Sequence, residues 1–528
     1  MSLPPAEAAV RPALHRRPLF WVALLYFSEG LPLGLFYDLF PVHMRQTGVS
    51  PADIGLLSLL GLAWTVKFLW APVVEAWRGH QRWMAGANLG MAGVLTTLAM
   101  APEALAAGQT WPWVLLAAFT VLSATNDIAT DGYTIEALSK DQYGMANGVR
   151  IGFYRVGMLA AGGTLVAASW LGTREAPNWS AAYLLAAVVM VCNAGAILMA
   201  PALPWRPRQA SGAAGREWQA LRQQPIWLVA LGLFVAGLLW PAVGPLAKFM
   251  ASLMLEFTGP VFLVPLVKVL QWQAFLEASG TWWFKGLVPV AFMMGGAGLM
   301  VAAARLPGAR HMAEGPVFGA WVELLARPGM LAVLAFILLF KLGDAAMGFM
   351  VKPFWVDAGF TPAQIGLVSV NVGLGLSIAG GLVGGWYVDR AGIFKGLWVL
   401  GLAQALSNLG YALAAWYVEP TAAGMQVSIH YQAAVYAASG LESFTGGLGT
   451  GAFLAFLMGI TSKARATTEY AILSSIFAFS RAVAGWAGGL GVQEMGYAAF
   501  FFLTFWLSFP AYLLLPAVRR MLGEPSAR

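Results

Sequence analysis

The chain has 528 residues, of which 59% are hydrophobic and only 10% are charged. Soluble domains carry about 25% charged residues, so this composition argues against a soluble protein. The net charge of +7 does not indicate nucleic-acid binding, because most of the basic residues fall in alternate loops between apolar segments. The single cysteine, Cys192, excludes a disulfide framework and a cysteine metal site.

Apolar segments recur along almost the whole chain. Runs such as residues 19–39, 181–202 and 500–515 approach the roughly 20 residues needed to cross a bilayer. They are apolar all round, whereas a helix of a soluble protein has a charged face. The pattern predicts an all-α membrane protein with fourteen transmembrane helices, at about 20–42, 54–76, 84–102, 112–137, 147–170, 180–201, 226–247, 285–304, 330–350, 362–386, 396–417, 432–458, 469–492 and 496–516.

Lysine and arginine are unevenly distributed between alternate loops. If the N-terminus is cytoplasmic, the cytoplasmic loops hold most of them. The opposite side then holds only Arg45, Arg174, Lys248, Lys268, Lys285 and Lys352. This bias follows the positive-inside rule and predicts that both termini are cytoplasmic. A multi-pass protein of the bacterial inner membrane, working as a monomer in the lipid bilayer, is the expectation.

A segment near the start of the chain recurs in its second half. Residues 50–58 read SPADIGLLS, and residues 361–369 read TPAQIGLVS. Both segments predict a helix start, because a hydroxyl N-cap is followed by proline at the first helical position. Repetition of the residues that follow the cap indicates an internal duplication.

A second match supports the duplication. Arg155 precedes the pair Gly162–Gly163 by the same interval at which Arg481 precedes Gly488–Gly489. We therefore predict a six-helix half at 1–201 and a second at 329–528. Residues 202–328 would form an inserted helix pair with a periplasmic segment at 248–284. Parallel six-helix repeats are the arrangement of the major facilitator fold, whose substrate site lies between the halves near the membrane midplane.

Ionisable side chains at membrane depth are the candidate functional residues. They cost several kcal/mol in a bilayer unless they are paired or solvated. The acids that are candidates for proton coupling are Asp127, Glu442, Glu29, Asp131 and Asp344. A carboxylate in a dry environment has a raised pKa, which an approaching arginine lowers, so a change of partner would load and release a proton. Asp127 is the first choice among these acids, and Glu442 or Glu29 the next.

The cations and polar residues at similar depth are candidates for binding a substrate. They are Lys67, Asn126, Arg155, Lys341, Arg481 and Trp64. Asp127 and Asp131 share a helix face, Lys341 and Asp344 are near enough in sequence to pair, and Arg155 is a possible partner of Asp127. Trp64 would stack on a sugar ring or pack in the core. The alternative for each residue is a static ion pair that fixes helix packing.

Several motifs in both halves resemble those of the AmpG-type muropeptide permeases, a branch of the major facilitators. They are Ser28–Pro32, Lys67–Pro72, Asn126–Tyr133, Tyr154–Gly157, Lys341–Asp344, Ser407–Tyr411 and Glu442–Gly447. The resemblance covers about residues 20–165 and 330–515, and Glu29 and Asn126 depart from its motifs. It implies proton-driven import of an anhydro-muropeptide (GlcNAc-anhydroMurNAc-peptide) from the periplasm for cell-wall recycling.

Other functions stay open at this stage. A transporter for acetyl-CoA, a siderophore or another anionic amphipathic solute fits the same basic side chains. A membrane-embedded enzyme is the main rival class, but the sequence has no HExxH or P-loop, and its five histidines are scattered. We therefore expect a transporter and not an enzyme, with a small-molecule substrate, no nucleic-acid partner, no metal, and the proton gradient in place of a cofactor.

Overall fold

The computed structural model describes residues 18–67, 79–105, 111–138, 143–173, 176–201, 224–237, 287–306, 319–417, 427–461 and 466–523, with a few isolated positions between them. Within these ranges the chain is helical, and no strand is found in them. The predicted all-α class is confirmed. Most of the predicted insertion at 202–328, including its segment at 248–284, lies outside the described residues.

The first part of the chain consists of helices joined by short turns. They are α1 (Pro18–Gly34), a π-helical segment (Leu35–Leu39), α2 (Phe40–Gln46), α3 (Pro51–Leu60), α4 (Leu62–Val66), α5 (His80–Met100), a 3₁₀ turn (Pro102–Leu105), α6 (Trp111–Ala137), α7 (Tyr143–Trp170) and α8 (Trp179–Leu198).

The remainder of the chain continues in the same way. Its helices are α9 (Pro225–Gly237), α10 (Val288–Ala304), α11 (Gly319–Ala326), α12 (Met330–Phe340), α13 (Leu342–Asp357), α14 (Pro362–Gln364), a π-helical segment (Ile365–Val372), α15 (Gly373–Ala391), α16 (Ile393–Tyr417), α17 (Ile429–Gly459), α18 (Ala466–Leu507), a 3₁₀ segment (Phe509–Leu514) and α19 (Leu515–Met521).

The two repeated helix starts form as predicted. The Ser50 side chain accepts a hydrogen bond from the backbone N–H of Asp53, and proline follows at the start of α3. Thr361 caps α14 in the same way and forms a reciprocal capping box with Gln364. The caps satisfy backbone donors that a helix start leaves open, so short local sequence was enough to place both ends.

Eight of the described helical segments are long and apolar enough to cross a membrane, and three apolar helices are shorter. The last two predicted spans, 469–492 and 496–516, are two helices that meet within α18 at Gly496, where the backbone is non-helical with a φ of 76°. The membrane character of the chain is confirmed, whereas the total of fourteen crossings stays a prediction.

The chain forms two compact units. The first comprises Met1–Phe40, Lys67–Pro102 and Ala117–Trp205, and the second comprises Pro41–Val66, Glu103–Leu116 and Arg206–Arg528. The predicted first half, 1–201, is therefore divided, because α3 and α4 pack with the second unit against α18.

In the first unit, α1 crosses α7 at very short range. A Cβ atom at Gly30 would lie 1.9 Å from the carbonyl oxygen of Tyr154, and one at Gly157 would lie 2.4 Å from that of Phe27. Small residues allow such backbone contact between membrane helices. This crossing brings Glu29, next to Gly30, close to the charged residues of α6 and α7.

Candidate functional site

Three acids meet inside the first unit. Glu29 lies on α1, and Asp127 and Asp131 lie one turn apart on α6. One carboxylate oxygen from each residue lies within 4.8 Å of the others. The prediction that Asp127 and Asp131 share a face is confirmed, and Glu29 joins them from the neighbouring helix.

Two cations accompany these acids. Lys67 forms an ion pair and hydrogen bond with Asp127. Arg150, on α7, lies 3.3 Å from Asp131 through its Nη1 atom. We call these five residues, Glu29, Lys67, Asp127, Asp131 and Arg150, the carboxylate cluster.

Arg150 is the arginine that the sequence reasoning missed. The structure pairs Asp127 with Lys67 and not with Arg155, because α7 turns Arg150 toward α6, while Arg155 lies half-buried farther along the helix. Arg150 stands near the predicted start of a span, where a basic residue is usually a cytoplasmic anchor. For this reason the sequence did not identify Arg150 as a partner of the acids.

Tyr26 completes the surroundings of Asp131. Its hydroxyl donates a hydrogen bond of 2.7 Å to Asp131 Oδ1, and the Arg150 guanidinium lies 4.8 Å from the centre of its ring. The acids are close enough together to suit a metal ion, but Lys67 occupies one oxygen of Asp127, and Arg150 and Tyr26 share one oxygen of Asp131. The cluster is therefore suited to hold protons and ion pairs.

Asn126, a predicted substrate contact, is fully buried beside the cluster. Its side-chain oxygen accepts a hydrogen bond of 3.0 Å from Asn88 on α5, and both residues have no exposed surface. The amide pair fixes α6 against α5 and thereby the position of Asp127. In this conformation Asn126 supports the cluster and presents no surface to a solute.

The second unit contains another buried charged group. Lys341 lies at the break between α12 and α13. Only 4% of this residue is exposed. Its Nζ atom lies 3.2 Å from Asp344 Oδ2 and donates a 2.8 Å hydrogen bond to Thr450 Oγ1. The predicted pairing of Lys341 with Asp344 is confirmed, and Thr450 links the pair to α17.

Glu442, Lys352 and Arg481 lie in the same unit. Glu442 is half-buried on α17, one turn from Gly446, whose carbonyl oxygen is 3.4 Å from Lys341 Nζ. Arg481 is exposed on α18, with its guanidinium 5.9 Å from the Phe477 ring. Lys352 was expected in a loop, but it lies in α13, and its Nζ atom donates to Ser369 Oγ at 2.6 Å. The sequence becomes less apolar near Lys352, so the predicted span ended at residue 350, before this lysine.

A contact in the second unit joins α2 and α3 to α13 and α18. Arg45 Nε lies 2.6 Å from Asp357 Oδ1, and the Tyr497 hydroxyl donates a 2.6 Å hydrogen bond to Asp357 Oδ2. Ser58 Oγ also donates to the Ala482 carbonyl oxygen at 2.7 Å. We call these five residues the latch.

Beside the latch, glycine residues allow α3 and α18 to approach each other closely. A Cβ atom at Gly489 would lie 2.3 Å from the Pro51 carbonyl oxygen, and one at Gly55 would lie 2.9 Å from the Gly489 Cα atom. The helices α3 and α18 therefore touch backbone to backbone. Trp64, the predicted sugar-stacking residue, lies half-buried on α4 in this unit.

The amino-acid sequence has curated relatives over nearly its full length, although no family model matches it. The anhydromuropeptide permease of Escherichia coli K12 is 24% identical over 509 residues, which cover 94% of this chain and 79% of the relative. Putative transporter AmpG 4 of Rickettsia conorii is 22% identical over 508 residues, covering 94% of this chain and 95% of the relative. The resemblance to AmpG-type permeases is confirmed.

Solved structures of transporters share the fold. An auto-inhibited POT family peptide transporter superposes with a TM-score of 0.60 at 15% identity, covering 96% of this chain and 98% of the other. A D-xylose–proton symporter superposes with a TM-score of 0.56 at 12% identity, covering 96% and 97%. The chain is a multi-pass membrane transporter with a major facilitator-like fold, and these relatives and neighbours are transporters and not enzymes.

Proposed function

We propose that this protein is a proton-coupled secondary transporter that imports an anhydro-muropeptide from the periplasm to the cytoplasm for cell-wall recycling. The observation that carries the proposal is the carboxylate cluster, in which three acids share two cations within the first unit. Because the acids outnumber the cations, one acid has no cation of its own, and this favours its binding of a proton. The similarity to the anhydromuropeptide permease of Escherichia coli supports the choice of solute.

The charged groups of both units suit an anionic glycopeptide. Lys67, Lys341 and Arg481 would engage the carboxylates of the peptide, because each is a cation within an otherwise apolar span. Arg155 would contact an acidic group of the glycopeptide, and Trp64 would stack on one of its sugar rings. Asn126 would position Asp127. Glu442 and Asp344 would balance Lys341 when no solute is bound.

Alternating access would open the latch. The latch joins residues of the predicted first half to residues of the predicted second half, and a solute path between the halves requires such a contact to separate. Arg45 and Asp357 are each about a quarter exposed, so water can replace their ion pair at low cost. Gly55 and Gly489 offer no interlocking side chains, which lets the helices part.

We also propose the arrangement of the whole chain in the membrane. Fourteen spans, two six-helix halves at 1–201 and 329–528, an inserted pair at 202–328 and two cytoplasmic termini account for the positions of the basic residues. The site would be complete in one chain of the bacterial inner membrane, since each group of charges is built within a single unit. We propose that the protein functions as a monomer.

The proposal is tested by uptake into membrane vesicles. Labelled GlcNAc-anhydroMurNAc-tripeptide is supplied to vesicles containing the protein, with an inward proton gradient or with the gradient collapsed by an ionophore. We expect accumulation only with the gradient. Uptake without any response to the gradient would remove proton coupling, and absence of uptake would remove this solute.

Two controls make the result specific. Asp127→Asn should abolish accumulation, whereas Glu103→Gln, which changes an exposed acid on the 3₁₀ turn, should leave it unchanged. Unlabelled acetyl-CoA and a ferric siderophore are added as competitors. Competition by either one at a lower concentration than unlabelled muropeptide would assign the alternative solute.

A further inference from the structure

The three acids of the carboxylate cluster do not have equivalent partners. Asp127 has Lys67, and Asp131 has Arg150 and the Tyr26 hydroxyl. Glu29 forms no ion pair in the described structure, and its Oε2 atom is buried without a hydrogen-bond donor. The two cations therefore serve the aspartates and leave Glu29 uncompensated.

Glu29 and Asp127 nevertheless lie close together, because one carboxylate oxygen of each lies within 4.8 Å of the other. Two carboxylates this close repel each other unless one of them holds a proton. Asp127 is already stabilised as an anion by Lys67. The proton therefore resides on Glu29.

The charge balance leads to the same assignment. With Glu29 protonated, the two aspartates and the two cations sum to zero. With Glu29 ionised, the cluster carries one negative charge too many. An uncompensated charge held away from bulk water is unfavourable, so the neutral arrangement is favoured.

The charged groups close to Glu29 are those of the carboxylate cluster. The neighbouring helix α7 supplies Arg150, and α6 supplies the two aspartates. The other charged residues on elements packed against α1 are Arg155 on α7 and Asp38 on the π-helical segment. The neighbour α8 has no ionisable acid or base in its sequence apart from Tyr183 and Cys192. On α1 itself, Tyr26 is committed to Asp131, and the Ser28 hydroxyl donates to the Leu25 carbonyl oxygen.

We propose that Glu29 is the proton-carrying residue of transport and that Asp127 is a positioning residue, which holds Lys67. This inference rests on the proposed function and specifies its coupling group. One proton binds the Glu29 carboxylate from the periplasmic side, crosses as the carboxylic acid, and leaves to the cytoplasm. After the proton is released, Lys67 is shared between the Glu29 and Asp127 carboxylates, and Glu29 can bind the next proton.

Two transport assays separate carrying a proton from positioning. Exchange of labelled for unlabelled solute across the membrane needs no net proton movement, whereas accumulation against a gradient does. Glu29→Gln mimics the protonated acid, so it should keep exchange and lose accumulation. Glu29→Asp should keep both, and Asp127→Asn should lose both because Lys67 loses its partner.

The contrary outcomes are equally definite. Glu29→Gln with normal accumulation, or with loss of exchange at normal protein levels, would overturn the proposal. Asp127→Asn with exchange but no accumulation would move the proton to Asp127. Failure of the wild-type protein in both assays would instead reject the proposed solute.

An infrared measurement tests the protonation itself without any solute. The purified wild-type protein at neutral pH should show a carboxylic-acid C=O band that shifts in deuterated water. The band should vanish in Glu29→Gln, shift in Glu29→Asp and persist in Glu103→Gln. A band that is unaltered by both Glu29 variants would show that Glu29 is ionised, against the proposal.

Discussion

Arg150 has a more restricted environment than the other cation of the carboxylate cluster. It faces Asp131 through Nη1 and lies over the ring of Tyr26, so it uses both the charge and the flat shape of a guanidinium. Lys67 acts on Asp127 as a point charge. The two positions are therefore not interchangeable.

The first prediction concerns the shape of this cation. Arg150→Lys keeps the charge but weakens the stacking on Tyr26, which is worth about 0.5–1 kcal/mol, so we expect transport to fall about two- to fivefold. Arg150→Gln leaves Asp131 without a cation and should abolish gradient-driven uptake. Initial rates of labelled solute uptake are the measurement.

Arg305→Gln is the control for Arg150, since Arg305 is exposed at the end of α10. It should transport at the wild-type rate. Normal uptake by Arg150→Gln would show that the ion pair with Asp131 is dispensable.

The sequence predicted the acids of the cluster better than their partners. Asp127 and Asp131 share a face because the helical period is a local property. Whether Arg150 or Arg155 meets them depends on how α7 is rotated against α6, which only packing decides. Lys352 was missed for a related reason, since the end of a span is not marked in an apolar sequence.

At the scale of helices, the α1–α7 crossing determines whether the cluster can form. Gly30 and Gly157 let the two backbones touch, which brings Glu29 toward Arg150 and α6. A side chain at this crossing would separate the helices and pull the acids apart.

The second prediction tests this crossing. Gly157→Ala would place a Cβ atom 2.4 Å from the Phe27 carbonyl oxygen, so the helices must move. Overpacking of this kind costs about 1–3 kcal/mol. We expect a lower melting temperature in detergent and loss of uptake.

Gly163→Ala is the matched control on the same helix, because nothing lies within 4 Å of an added Cβ there. It should melt at or above the wild-type temperature, since alanine favours a helix over glycine. Equal melting temperatures for the two variants would show that the crossing tolerates a wider separation.

The helix starts at Ser50 and Thr361 show what short sequence determines well. Each cap is made by residues within one turn, and the structure reproduces both. The break expected between residues 492 and 496 is also present, because the backbone is non-helical at Gly496 and two helices meet there. Glycine adopts the positive φ of this position without strain.

At the scale of the whole molecule, the latch is the contact that the proposed alternating access has to separate. Arg45, Asp357 and Tyr497 form a charged contact, and Ser58 packs against Ala482 below it. The duplication predicted two halves, but not that α3 and α4 would pack with the second unit. The packing of α3 and α4 depends on the conformation of the transporter, which cannot be predicted from the sequence.

The third prediction follows from the latch. Asp357→Asn removes the charge that holds Arg45 and Tyr497, so the contact should open more often. Ser58→Cys, in a background with Cys192→Ser, reports the opening through its reaction with a membrane-impermeant thiol reagent. We expect Asp357→Asn to speed labelling of this buried position.

Asp389→Asn provides the control, because Asp389 is an acid near the far end of α15 and outside the latch. It should leave the labelling rate unchanged. Equal labelling in Asp357→Asn and the wild type, with solute present and absent, would show that the latch does not open during transport.

The most direct test of the account is proton movement caused by the solute itself. GlcNAc-anhydroMurNAc-tripeptide is added to lightly buffered, energy-depleted vesicles, and the external pH is followed. The account predicts immediate alkalinisation of the medium with the wild-type protein and none with Glu29→Gln. Solute entry without any change in external pH would contradict it.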